Sequence, residues 1–335
     1  MPHPKTYDVL IDGIYYYLCE ESKTAIVSND MDFFDSYEYC GDIVIPDSFC
    51  YDGVSYKVDS ICSGIFQRPG NRDNSHMTSI TIPDAVRTIA DQLFLNCTAL
   101  KSVKLGKGIR YIGANAFAGC TALTTIKSDN LLRYIGANAF NGCSDLKEVC
   151  ISSPLVSIIE ENTFLGCASL TSFQIPENVT TIGRCAFQGC AQLDSVTMGK
   201  QIQVIREYAF DGCMALKELM LPEKIDTIRF SAFRNCKSLA KVTLPEGLTK
   251  IDDDLFNGCV SLRKVSIPTS VQSIGYNAFR NCSSLAIINI PEGISLISYA
   301  TFWGCSSLTE ISIPKTVKKI DREAFMQSKS LSMCI

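Results

Sequence analysis

Two histidines and one tryptophan are all that this chain of 335 residues carries of those types. His3 falls in the opening residues and His76 in a polar stretch, and neither has a serine or cysteine in a nucleophile setting, which argues against Ser/His/Asp or Cys/His catalysis. No apolar run approaches the eighteen or so residues that span a bilayer as a helix, so a membrane-spanning chain is not expected. The start, Met1-Pro2-His3-Pro4-Lys5, has no apolar stretch of the signal-peptide kind. Basic residues are scattered and the formal net charge is -4, which argues against a general nucleic-acid partner. Phosphate-loop and metal motifs are equally scarce. Gly106-Lys107-Gly108 lacks the remainder of a phosphate loop and reads as a turn, while Asp252-Asp253-Asp254 lacks the glycine and terminal glutamate of a calcium loop and reads as a solvated edge. No catalytic residue, metal site or cofactor is assigned.

What the chain has instead is a period. Phenylalanine returns at positions 66, 94, 117, 140, 164, 187, 210, 233, 256, 279, 302 and 325, and after the first interval every step is 23 residues except one of 24. A period of this length marks a stacked solenoid rather than a closed globule. Ten of the 17 cysteines share the register, each three residues after a repeat phenylalanine from Cys97 to Cys305. The small thiol is among the most buried side chains, so a ladder of reduced cysteines inside the coil is expected. Stacked coils would hold equivalent Cβ atoms about 4.8 Å apart, beyond the ~3.8 Å usual in a disulfide, so disulfides along the ladder would be strained.

Within one coil, Val265 and Ile267 alternate with Lys264 and Ser266, the pattern of a short half-buried strand closed by Pro268. A second extended step follows from Val271 to Ile274. Asn277-Ala278-Phe279-Arg280-Asn281-Cys282 then suits one helical turn. A lone coil buries too little to fold: seven or eight inward side chains contribute roughly 1.5 to 3 kcal/mol each, against about 1 to 2 kcal/mol per residue for ordering the backbone. Stacking supplies the remainder. The expected fold is therefore a β-rich α/β solenoid of about twelve 23-residue coils over residues 58–335, behind an N-terminal β-rich cap over residues 1–57.

The frame Cys259, Leu262, Val265, Ile267, Pro268, Val271, Ile274, Ala278 and Phe279 resembles the BspA-like, or Treponema-type, class of leucine-rich repeats, and it recurs in register through about five-sixths of the chain. The leading residues also resemble the cap of such arrays, with alternating stretches Ile11–Tyr16, 41–46 and 51–56 separated by Asp-Gly turn signals. The resemblance implies a right-handed leucine-rich-repeat solenoid and a secreted or surface-attached protein of the adhesion and binding type. On that reading the chain is a non-catalytic recognition protein; a structural surface protein without a ligand and an enzyme with a cryptic site are the alternatives.

Strand residues that face away from the core are the natural docking surface, and the repeat frame places Lys101, Lys104, Lys127, Gln174, Thr197, Met220, Thr243, Ser266 and Asn289 there. From Gln174 to Asn289 the row is neutral, and Thr197, Thr243, Ser266 and Asn289 are small, which suits a shallow floor for a protein, peptide or glycan. Glu148, Glu218 and Glu310 would form acidic flanks. The 28-residue step between Phe66 and Phe94 inserts a polar loop, so Arg68, Asn71, Arg72 and His76 are the second candidate surface. Between Ile126 and Ile159 the pattern loses its proline and gains a residue, which predicts a local bulge. After Phe325 the ladder cysteine becomes Ser328 and the apolar flank is unshielded, which predicts fraying or an end-to-end homodimer through the last coil.

Overall fold

The computed structural model describes residues 8–28, 39–66, 76–128, 131–151 and 153–331. The chain divides into two compact units, Met1–Val156 and Ser157–Ile335, and the division falls inside the irregular stretch between Ile126 and Ile159.

The first unit begins with a five-stranded sheet in the order Val9–Ile11, Ile14–Cys19, Thr24–Ser28, Val54–Ile61, Ser48–Tyr51. Its two tightest hairpins turn through Asp12-Gly13 and Asp52-Gly53, where φ is positive at all four residues, the backbone a two-residue hairpin requires. Gly41–Val44 does not join this sheet. It pairs in parallel with Met77–Thr81 and so forms the edge of a second five-stranded sheet that continues through Ser102–Lys104, Thr125–Ser128 and Glu148–Ile151. A smaller parallel sheet joins Thr88–Ile89, Tyr111–Ile112 and Tyr134–Ile135.

The second unit repeats the plan. Ser172–Gln174 pairs with Ser195–Thr197, and five parallel strands run from Glu218–Met220 through Lys241–Thr243, Lys264–Ser266 and Ile287–Asn289 to Glu310–Ser312. Two-residue strands build the other side, four of them in one sheet from Ile158–Ile159 to Val204–Ile205 and Thr227–Ile228. Each unit is a parallel-strand solenoid of the 23-residue period. The coils number nearer ten than twelve, because the phenylalanines at the two extremes belong to partial coils. Phe66 follows directly on the cap strand Val54–Ile61, and no strand follows Phe325 among the described residues.

Phenylalanine rings form the spine of each unit. In the first, Phe66, Phe94, Phe117 and Phe140 stack at centroid distances of 5.2, 5.0 and 5.3 Å. In the second, the stack runs from Phe164–Phe187 at 5.3 Å to Phe302–Phe325 at 5.4 Å. Near-parallel rings at this spacing follow from the coil repeat, since each ring sits on its equivalent one strand spacing away.

The corner that carries the phenylalanine is not helical, contrary to the reading of Asn277–Cys282. No helix occurs among the described residues. Asn277 and Asn281 have φ of 54° and 58°, which breaks a right-handed helix after every few residues. Alternate amides then point in two directions. Arg280 and Cys282 donate within the coil to Asn277 and Phe279, at 3.0 and 3.1 Å. Phe279 and Asn281 donate to the next coil, at Thr301 and Trp303, at 2.9 and 2.7 Å. Two successive turns thus give the corner its own hydrogen-bonded ladder, and the inter-coil pairing does not stop at the strands.

Candidate binding face

The first strands of the second unit bury their middle residue and expose the residues on either side, as in Lys241–Thr243 and Lys264–Ser266, except that Val196 and Ile311 are half-buried. The alternation follows from the two-residue period of a strand. Parallel pairing without a shift keeps equivalents aligned: Gln174 lies opposite Thr197, Met220 opposite Thr243, Thr243 opposite Ser266, and Asn289 opposite Ser312. All of these are exposed, and Met220 is 65 % exposed. The row expected from the repeat frame is therefore brought together within the unit.

A second outward row lies beside it, and the sequence reading drew on it only for its glutamates. Glu218 pairs in register with Lys241, Lys241 with Lys264, Lys264 with Ile287, and Ile287 with Glu310. The signal was available in the same alternation, since both neighbours of a buried strand residue must face out. Just before the strands, Lys217 Nζ lies 3.3 Å from Asp194 Oδ2. Side-chain hydrogen bonds from Ser195 and Lys217, in that order, hold the Asp194 carboxyl below its ordinary range. Asp194, Thr197, Lys217, Glu218, Met220 and Lys241 line one shallow depression. The face there is not a neutral stripe: charges of both signs surround an exposed thioether.

In the first unit, Lys104 and Lys127 occupy the corresponding outward positions and are exposed. Lys101 lies one residue ahead of its strand, with its amide bonded to Thr78 O at 2.8 Å. Lys127 is not an isolated basic flank. Its Nζ lies 3.3 Å from Glu148 Oε1, which also accepts from the Cys150 thiol at 3.2 Å. Such an exposed pair contributes little to stability but cancels the local charge. At the sheet edge Asp42 accepts from the Ser79 and Thr78 hydroxyls at 2.6 and 2.8 Å. Those bonds hold its carboxyl low, helped by the charge of Lys101.

The loop candidates Arg68, Asn71 and Arg72 lie outside the described residues. His76 is exposed, and its carbonyl accepts from Gly41 at 2.8 Å. Asp252-Asp253-Asp254 departs from the solvated edge that was expected. Asp252 is buried, paired with Lys250 at 2.7 Å, and Asp253 accepts from the Tyr276 amide at 2.8 Å. The triplet is a structural corner. Among the described residues no group of three or more histidine, cysteine, aspartate or glutamate side chains is arranged to hold a metal, and no helix is long and apolar enough to cross a membrane.

The sequence pattern of the BspA type leucine-rich repeat region matches residues 72–194, 157–284 and 203–332. This chain belongs to that family. Among solved structures, a leucine-rich repeat protein of Bacteroides ovatus is similar at 26 % identity and a TM-score of 0.66, over 97 % of this chain and 93 % of the other. A leucine-rich cell surface protein of Faecalibacterium prausnitzii is similar at 26 % identity and a TM-score of 0.57, over 98 % and 88 %. The pneumococcal vaccine antigen PcpA, at 20 % identity and a TM-score of 0.59 over 96 % and 95 %, shares the fold. No curated protein matches significantly.

Proposed function

We propose that this BspA-type protein is a non-catalytic recognition protein of the cell surface or extracellular space, which docks a protein, peptide or glycan on the outward face of its first strands. The observation that carries the reading is the in-register sheet from Glu218–Met220 to Glu310–Ser312, whose outer strand positions are exposed. A rigid floor with aligned side chains loses little entropy on binding, and preorganisation of this kind is what raises affinity for a given contact area. The depression around Met220 adds an adaptable apolar centre within a charged rim, the arrangement of a binding hot spot. The surface location rests on family membership and on the similarity to the Faecalibacterium cell surface protein.

Peptide and glycan arrays probed with the labelled chain test the proposal. Saturable retention of a defined peptide or sugar supports recognition. Self-assembly into higher oligomers with no saturable ligand on either array would assign the protein a structural role instead.

A further inference from the structure

The first unit has a second face that the docking proposal leaves unused, on the side of the two-residue strands. Three arginines stand there in successive coils. Arg110 N donates to Arg87 O at 2.8 Å and Arg133 N to Arg110 O at 2.7 Å, so the side chains leave the backbone one strand spacing apart, about 4.8 Å. Beside them Tyr111 and Tyr134 are aligned with each other by strand pairing and are 42 % and 43 % exposed.

Among the described residues none of the three arginines forms an ion pair. Arg87 Nη1 is satisfied by the carbonyls of Gly108 at 3.3 Å and Asp84 at 3.5 Å. Arg110 Nε is shielded from water and has no hydrogen-bond partner, and Arg133 is exposed. Like charges at this spacing repel, and a guanidinium is a fork suited to carboxylates. At the cap end of the column, Arg87 and Thr88 line a depression with Lys57, Asp59 and Ser60. In the second unit the equivalent positions, such as Thr180, Gln203 and Thr249, carry no arginine, and Lys318 is the one cation among them.

We propose that this face binds an acidic polysaccharide, a chain of sugars with a carboxylate on each ring. The exposed ring of Tyr111 beside the arginines favours it over an acidic peptide. Each carboxylate can then meet a guanidinium in a charge-assisted bond, while the exposed tyrosine rings offer flat apolar surface to the C–H faces of the sugar rings. This site is separate from the first-strand face and does not depend on it.

Titration of the full chain with hexagalacturonate, its methyl ester and polyglutamate is the test. We expect hexagalacturonate to bind, more weakly as salt rises, and the ester to bind far less. Arg133→Gln, an exposed change that leaves the core untouched, should lower affinity about tenfold, as for a lost charge-assisted bond. Arg110→Gln should do the same and Tyr111→Ala should have a smaller effect. Arg263→Gln on the second unit should change nothing. Absence of hexagalacturonate binding, equal binding of the ester, or affinity unchanged in Arg133→Gln would overturn the proposal. Equal or tighter binding of polyglutamate would reassign the face to acidic peptides.

Discussion

The thiol of Cys213 donates to the carbonyl oxygen of Phe187 at 3.2 Å. The acceptor belongs to the preceding coil, 26 residues back, and the same bond recurs from Cys120 to Phe94, Cys259 to Phe233 and Cys305 to Phe279. The ladder cysteine is thus more than a small apolar filler, because it satisfies a carbonyl at the corner where the chain turns past the ring stack. In the last coil Ser328 replaces the cysteine and still donates to Phe302 O, at 2.8 Å. A residue that reads as the loss of the pattern keeps its bond.

These thiols make stability depend on alkaline pH. Burial holds Cys143 and Cys190 up at about 12, whereas a thiol in an unfolded chain ionises near 8.5. The folded state therefore keeps protons that the unfolded state releases. Stability from this source is complete below about pH 8.5 and is lost as pH rises toward 12. Cys213→Ser removes one such group and preserves a donor, so its urea midpoint should fall less steeply between pH 9 and 11 than that of the parent. Identical slopes would mean that the buried thiols do not set the alkaline limit.

Phe187 is fully buried between Phe164 and Phe210, at 5.3 and 5.2 Å. Phe187→Ala should cost about 3 to 5 kcal/mol, and Thr197→Ala on the exposed row within about 0.5 kcal/mol. Denaturation midpoints that shift equally would contradict the assignment of inside and outside.

The corner can be tested at Gly212, where φ is 75°. A left-handed residue with a Cβ costs roughly 1 to 2 kcal/mol, so Gly212→Ala should destabilise by about that amount. In a helical turn the same change would stabilise by about 1 kcal/mol. The sign of the shift in midpoint decides between the two geometries.

Cys150 is the exposed cysteine of the repeat sheets. It should be the first of the repeat cysteines to be alkylated in the native protein. Partial burial and the neighbouring Glu148 carboxylate raise its pKa, which slows the reaction because the thiolate is the nucleophile. Glu148→Gln should therefore accelerate labelling of Cys150 at neutral pH and leave the ladder unreactive. Mass-spectrometric mapping that finds Cys213 or Cys236 modified as fast would contradict the burial of the ladder.

The repeat was legible because one physical constraint, burial in a 23-residue coil, acts on the same positions many times. Phe187, Cys190, Leu193 and Ile205 could each be placed by spacing alone, and all are fully buried. The corner was misread because Ala278, Phe279 and Cys282 have helix-compatible spacing. The deciding signal was the glycine or asparagine two residues after the phenylalanine, as at Gly119 and Asn281, both with positive φ. Asp252 was misplaced for a different reason. Its carboxylate is tolerated inside through Lys250, and a pairing between two strand-end residues leaves no trace in hydropathy. On the candidate face the small residues were visible, whereas the Lys127–Glu148 and Asp194–Lys217 pairs needed the register between coils.

The recognition reading is most directly tested by covering the outward row. Gln174→Arg, Thr197→Arg and Thr243→Arg, combined in one chain, put three long cations on exposed positions and remove no core contact. A control triple, Gln192→Arg, Met214→Arg and Val260→Arg, places the same charges on exposed corner positions. With any peptide or glycan selected on the arrays, binding measured by titration should be abolished in the first variant and retained in the second, at unchanged denaturation midpoints. Full binding by the first variant would contradict the first-strand face as the docking surface.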